Sequence, residues 1–113
     1  MRYPYPDVTI EVEDDKDILV EVTYPDAGTT GNTFINIPSG NNKPIENAGS
    51  VSIGSGKILK GHFAIIASNL VNVAPQIDKI RETITIAGVK VVQHENLKAD
   101  DKTPSIKVKV IFQ

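Results

Sequence analysis

Ile80-Arg81-Glu82-Thr83-Ile84-Thr85-Ile86-Ala87-Gly88-Val89-Lys90-Val91-Val92-Gln93 is the stretch that decides the fold. Ile80, Ile84 and Ile86 alternate with Arg81, Thr83 and Thr85, the period-2 signature of a strand with one buried face. Ala87-Gly88 interrupts the run, and Val89, Val91 and Gln93 resume it, so the segment reads as a hairpin. The C-terminal run repeats the pattern, with Ile106, Val108, Val110 and Phe112 alternating with Lys107 and Lys109.

The rest of the chain reads the same way. Val8, Ile10 and Val12 alternate with Thr9, Glu11 and Glu13. After the polar Asp14-Asp15-Lys16-Asp17, Ile18, Val20, Val22 and Tyr24 continue the alternation, so these two runs are expected to form a first hairpin. Thr33 to Ile37 is a short strand closed by Pro38-Ser39-Gly40, and residues 38–50 read as irregular. Val51 to Ile53 is a brief strand. Lys57 to Val73 reads as one long strand with Leu59, Phe63, Ile65, Ala67, Val71 and Val73 facing inward and a bend near Ser68-Asn69. Residues 74–80 have room for one helical turn, and Asn96 to Pro104 is a charged loop.

Composition agrees. The 113 residues include 15 Ile, 12 Val and 8 Thr against 4 Leu. β-branched side chains are stiff against a helical turn but pack well on a pleated sheet. The expectation is therefore one all-β domain, an antiparallel two-sheet sandwich of 7–8 strands, immunoglobulin-like or Greek-key in connectivity. Residues 1–6 read as an extended N-terminal arm and residues 7–113 as the domain. No motif ties the chain to a named family, and the Cys and Trp of antibody domains are absent.

Several function classes lose support at once. With no cysteine, neither a disulfide framework nor a thiolate metal site exists. No run is long enough for a membrane span and no signal-peptide core is visible, so the chain reads as soluble, with its compartment open. A net charge of −2 and scattered bases without interleaved aromatics give no reason to expect nucleic acid. Carbohydrate platforms would need more exposed aromatics than three Tyr and three Phe. There is no nucleophile elbow, no H-E-x-x-H and no phosphate-binding glycine loop, so enzymatic function is not expected.

Charge is distributed unevenly. Residues 1–30 carry eight acids and two bases, and residues 31–113 carry six acids and ten bases. Glu11 and Glu13 on the first strand, with Lys107 and Lys109 on the last, suggest that the terminal strands pair, within one molecule or between copies. Tyr3 and Tyr5 lie in a Tyr-Pro-Tyr-Pro arm, an extended segment able to lie on its own domain or dock on a partner. These six residues are the expected protein-binding set.

Two other readings stay open. Asp14, Asp15 and Asp17, with Asp100 and Asp101 and with Asp26 on a third loop, could supply oxygens to calcium, though their spacing matches no calcium loop. His62 and His94, the two histidines, could serve a small hydrolase or metalloenzyme if the fold brought them together; otherwise each is a solvated surface residue. The expectation is a non-enzymatic module that self-associates or binds a protein through edge strands, arm or loops, with no cofactor.

Overall fold

The computed structural model describes residues 1–113 except Pro38, Ser39 and Asn41, which leaves those three residues of the expected 38–50 loop outside the described set. Ten strands and one helical turn are described: β1 (Arg2–Pro4), β2 (Val8–Ile10), β3 (Asp17–Thr23), β4 (Thr29–Asn36), β5 (Lys43–Glu46), β6 (Gly49–Ser55), α1 (Gly56–Leu59), β7 (Phe63–Asn72), β8 (Lys79–Ile86), β9 (Val89–Leu97) and β10 (Ser105–Phe112). They form the expected all-β sandwich. One sheet runs β1-β10-β7-β4-β5, with β2 also on β10, and the other runs β6-β3-β8-β9.

The connectivity is a Greek key made twice. In β3-β4-β5-β6, the first and fourth strands are neighbours in the four-stranded sheet, and the second and third form a hairpin in the other sheet. In β7-β8-β9-β10 the same relation holds with the sheets exchanged. Exchanging the two motifs maps β10-β7-β4-β5 onto β6-β3-β8-β9, so the eight strands have a pseudo-two-fold topology. The N-terminal strands break that symmetry. They lie parallel on β10, while the ladders inside both motifs are antiparallel.

Between the sheets lies one apolar core containing Ile18, Val20, Val22, Ile35, Ile66, Ile80, Ile84, Ile86, Ile106, Val108, Val110 and Phe112. Each such side chain contributes roughly 2 kcal/mol relative to remaining exposed. The inward positions read for β3, β8 and β10 are those found.

Several local expectations are corrected. The first hairpin does not form: β2 pairs with β10 and β3 with β6 and β8, so residues 11–16 cross from one sheet to the other. Alternation tells which face a strand buries, not which strand lies beside it. The polar Asp14-Asp15-Lys16-Asp17 also lacks the Asn-Gly chemistry of a tight hairpin. The crossing packs directly on α1. Gly56 N–H donates to Lys16 O at 2.9 Å, and a Cβ on Gly56 would collide with the Glu13 backbone.

The segment 57–73 is not one strand. Ser55 caps α1, its Oγ accepting from Ile58 N–H, and β7 begins only at Phe63. The helical turn therefore falls at 56–59, whereas 74–77 is a simple turn closed by Ile77 N–H to Ala74 O at 3.1 Å. No bend occurs at Ser68-Asn69, because β7 pairs with β10 and β4 without a register break. Its phase is the reverse of the expected one. Ala64, Ile66, Ser68, Leu70 and Asn72 face the core, while Phe63 and Val73 are exposed. Residues 43–46 and 49–50, expected to be irregular, belong to β5 and β6.

Candidate functional site

A sheet edge offers unpaired backbone N–H and C=O groups, and folded proteins usually block it with charge, proline or a bulge. Among the described residues the sandwich has four edges. On the β1/β2 edge, β1 carries Arg2 and Pro4, and β2, Val8-Thr9-Ile10, carries neither charge nor proline. The β5 edge carries Lys43, Pro44 and Glu46. The β9 edge carries Lys90 and Glu95, and it is bulged where the register steps from Ile84/Val92 to Thr85/Lys90.

The remaining edge, β6, is Gly49-Ser50-Val51-Ser52-Ile53-Gly54-Ser55 and contains neither charge nor proline; its pairing with β3 is regular from Gly49 to Ser52, and a bulge at Ile53-Gly54 steps the register from Leu19/Ser52 to Asp17/Ser55. Val51 and Ile53 turn toward the core and Ser50 and Ser52 outward, so the segment is extended by ordinary period-2 patterning. Asn47, at φ 59°, sets its start, and its Oδ1 accepts from Gly31 N–H at 3.1 Å. Gly54, at φ 125°, and the Ser55 cap set its end. Ser52 stands opposite Leu19, which is 50% exposed on the outer face. The pseudo-symmetric counterpart of β6 is β10, whose outer side is covered by β1 and β2.

The structure separates the residues expected to bind a partner. The terminal strands do pair within one molecule, in parallel, with Pro4 opposite Lys107 and Ile10 opposite Phe112. Glu11 and Glu13 lie beyond this pairing on the crossing segment, and among the described residues no ion pair joins them to Lys107 or Lys109. Lys107 lines a shallow groove on the outer face of the six-stranded sheet with Arg2, Ile65, Ala67 and Asn69. The Lys109 ammonium sits 4.4 Å from the centre of the Phe63 ring. Tyr3 and Tyr5 point the other way, against the core.

The acids do not converge. Asp14 pairs with Lys60 at 2.6 Å, near the C-terminal end of β10. Asp101 accepts from Thr103 N–H at 3.0 Å, ahead of the start of β10. Asp26 holds Arg81 through two hydrogen bonds of 2.7 and 2.6 Å. Asp15, Asp17 and Asp100 are exposed. Among the described residues no three His, Cys, Asp or Glu side chains gather as metal ligands would.

The two histidines are also apart. His62 is exposed, its carbonyl accepting from Phe112 N–H, whereas His94 packs against Tyr3, whose register partner is Ile106. Six residues of strand, roughly 20 Å, separate those levels. The surface reading of His94 is corrected: it is 3% exposed. The bulge places Val91 and Val92 both inward and reverses the phase after them, which the sequence did not signal.

His94 belongs to a polar layer crossing the core. Glu82 stands opposite it on the β8–β9 ladder, and Ser68 and Thr33 face Glu82 from the other sheet. Ser68 Oγ donates to Glu82 Oε2 at 2.8 Å and lies 3.0 Å from Thr33 Oγ1. Burial pushes the Glu82 carboxyl up to about 7, against the opposing hydrogen bond from Ser68. Glu82 Oε1 and the Tyr24 hydroxyl are buried with no hydrogen-bond partner among the described residues. Burial, with the Glu82 charge nearby, raises Tyr24 to about 12.

Asn96 Oδ1 can only accept, so it takes Nε2–H of His94 at 2.6 Å, and Tyr5 O–H then donates to Nδ1 at 2.7 Å. With both ring nitrogens engaged, His94 is anchored between Tyr5 and Asn96. The layer has the parts of an acid–base site but is sealed: Glu82, Ser68, Thr33 and His94 are each at most 3% exposed.

No helix among the described residues is long and apolar enough to cross a membrane. Comparison with protein-family models, curated proteins and solved structures returns no match.

Proposed function

We propose that this protein is a non-enzymatic interaction module that takes up an extended protein strand along β6. The observation that carries the reading is that β6, with seven residues, is the longest edge strand without charge or proline: β1, β5 and β9 hold one or both, and β2, which holds neither, has only three residues. Strand addition of this kind draws affinity from main-chain hydrogen bonds and specificity from alternate side chains. The covered state of β10 supports the same reading, since in the pseudo-symmetric position the fold accommodates an added strand.

The test uses a fluorescent peptide copying residues 49–55 with charged solubilising ends, titrated with the whole protein and followed by anisotropy. Saturable binding that Ser52→Lys abolishes is the expected result. Ser52 is exposed, so the lysine leaves the fold intact while charging the edge. Absence of both peptide binding and self-association in the unchanged protein overturns the reading.

A further inference from the structure

We infer that the strand received by β6 is the β6 of a second copy, antiparallel, with the two-fold axis passing at Ser52. The inference rests on the reading of β6 as an open edge and adds the identity and register of the occupant.

Two copies of one strand related by a two-fold axis must pair antiparallel, and residues facing one another must lie on the same face of the joined sheet. The β6 sequence fits that constraint from the centre outward. An axis at Ser52 sets Ser52 against Ser52 and Val51 against Ile53 of the second copy, and the bulge at Ile53-Gly54 ends the regular pairing there. Apolar side chains that face the core in each copy then meet each other, and the outer face meets small residues only.

The neighbouring registers fit less well. Moving the axis to Val51 sets Ile53 against Gly49, which has no side chain. Moving it to Ile53 sets Val51 against Ser55. A one-residue slip from any of these would put inward residues opposite outward ones. The near-palindrome around Ser52 therefore favours one axis position.

The surroundings of β6 agree with a second copy as occupant. Leu19 sits exposed beside Ser52 on the outer face, so the joined sheet places one Leu19 on each side of the junction. Only Asn47 and Ala48 separate β5 from β6, so β5 lies on the same side of the sandwich. Its two ends carry opposite charges, Lys43 and Glu46, and antiparallel apposition of two copies brings unlike rather than like charges together. The result is a closed pair with an eight-stranded continuous sheet, since an isologous contact uses β6 in both copies and leaves no free β6 edge.

The chain contains no cysteine, so single cysteines report the register directly. Ser52→Cys is expected to form an intermolecular disulfide under mild oxidation at concentrations where the protein is dimeric. Ser50→Cys is expected to remain unlinked, because its two copies stand four residues apart along the strands, roughly 13 Å, beyond disulfide reach. Both positions are exposed, and unchanged circular dichroism confirms that the variants fold.

A dimer in which Ser50→Cys links as readily as Ser52→Cys, or in which Ser52→Cys fails to link, overturns the axis. Protein that is monomeric at every concentration overturns the second copy as occupant. If that monomer still binds the 49–55 peptide, the edge reading survives without this inference. If it binds nothing, both fall.

Discussion

Glu82 and His94 stand directly opposite each other on the β8–β9 ladder, both buried, and each bonds across the core to the other sheet. Glu82 reaches Ser68 on β7, while His94 reaches Tyr5, whose N–H donates to Lys107 O on β10, and bonds along its own strand to Asn96. Both halves of the layer therefore tie the two sheets together, and the His94 half also holds the N-terminal segment in place.

The Glu82 carboxyl titrates at about 7 in the fold against 4.5 unfolded. The folded state thus binds the proton more tightly. Stability from this group is full below pH 4.5 and is lost as pH rises through about 7. The penalty at higher pH is on the order of 3 kcal/mol. Denaturant unfolding is expected to show higher stability at pH 5.5 than at pH 8.5. Glu82→Gln should flatten that slope and raise stability at pH 8.5; an equal slope in the variant would count against a buried, titrating Glu82.

Asp26 runs the other way. Its two hydrogen bonds to Arg81 hold its carboxyl below the usual value, against some desolvation, so the stability it gives is present above pH 4 and lost as pH falls through its lowered value. Arg81→Ala is expected to move the midpoint of acid unfolding to higher pH, read by far-ultraviolet circular dichroism, with little change at neutral pH beyond the lost pair.

Tyr5→Phe removes the donor to Nδ1 of His94 and leaves a buried acceptor unsatisfied. The expected cost is about 1–2 kcal/mol. Because β1 and β2 hold the N-terminal segment on β10, limited proteolysis near residues 5–7 should accelerate in the same variant.

Ala87 and Gly88 close the β8–β9 hairpin at φ 51° and 79°. Two left-handed residues are what a tight primed turn requires, and asparagine tolerates the first position better than alanine. Ala87→Asn is expected to raise stability by up to about 1 kcal/mol and to leave association unchanged. A loss of stability would argue against this turn.

The sandwich was legible in the sequence because β3, β8 and β10 bury aliphatic residues on one parity and expose polar ones on the other. β7 was misread because both its faces mix types. Ser68 and Asn72 are buried by hydrogen bonds to Glu82 and Thr29, while Phe63, Ile65 and Ala67 lie on the outer face. Hydrophobicity alone then gives the wrong phase. His94 was misread because one extra residue in β9 reverses its parity, and a bulge has no composition of its own. The open edge was visible only in part. Gly49 to Ser55 carries no charge in the sequence, but whether a strand is central or at an edge depends on pairing with residues far away.

Absolute mass in solution, by light scattering behind a sizing column across a wide concentration range, tests the central claim most directly. The unchanged protein is expected to rise from the 12.2 kDa monomer toward twice that mass, and Ser52→Lys to stay at the monomer mass throughout. A constant 12.2 kDa for the unchanged protein at every concentration would contradict the account of β6 as a self-pairing edge.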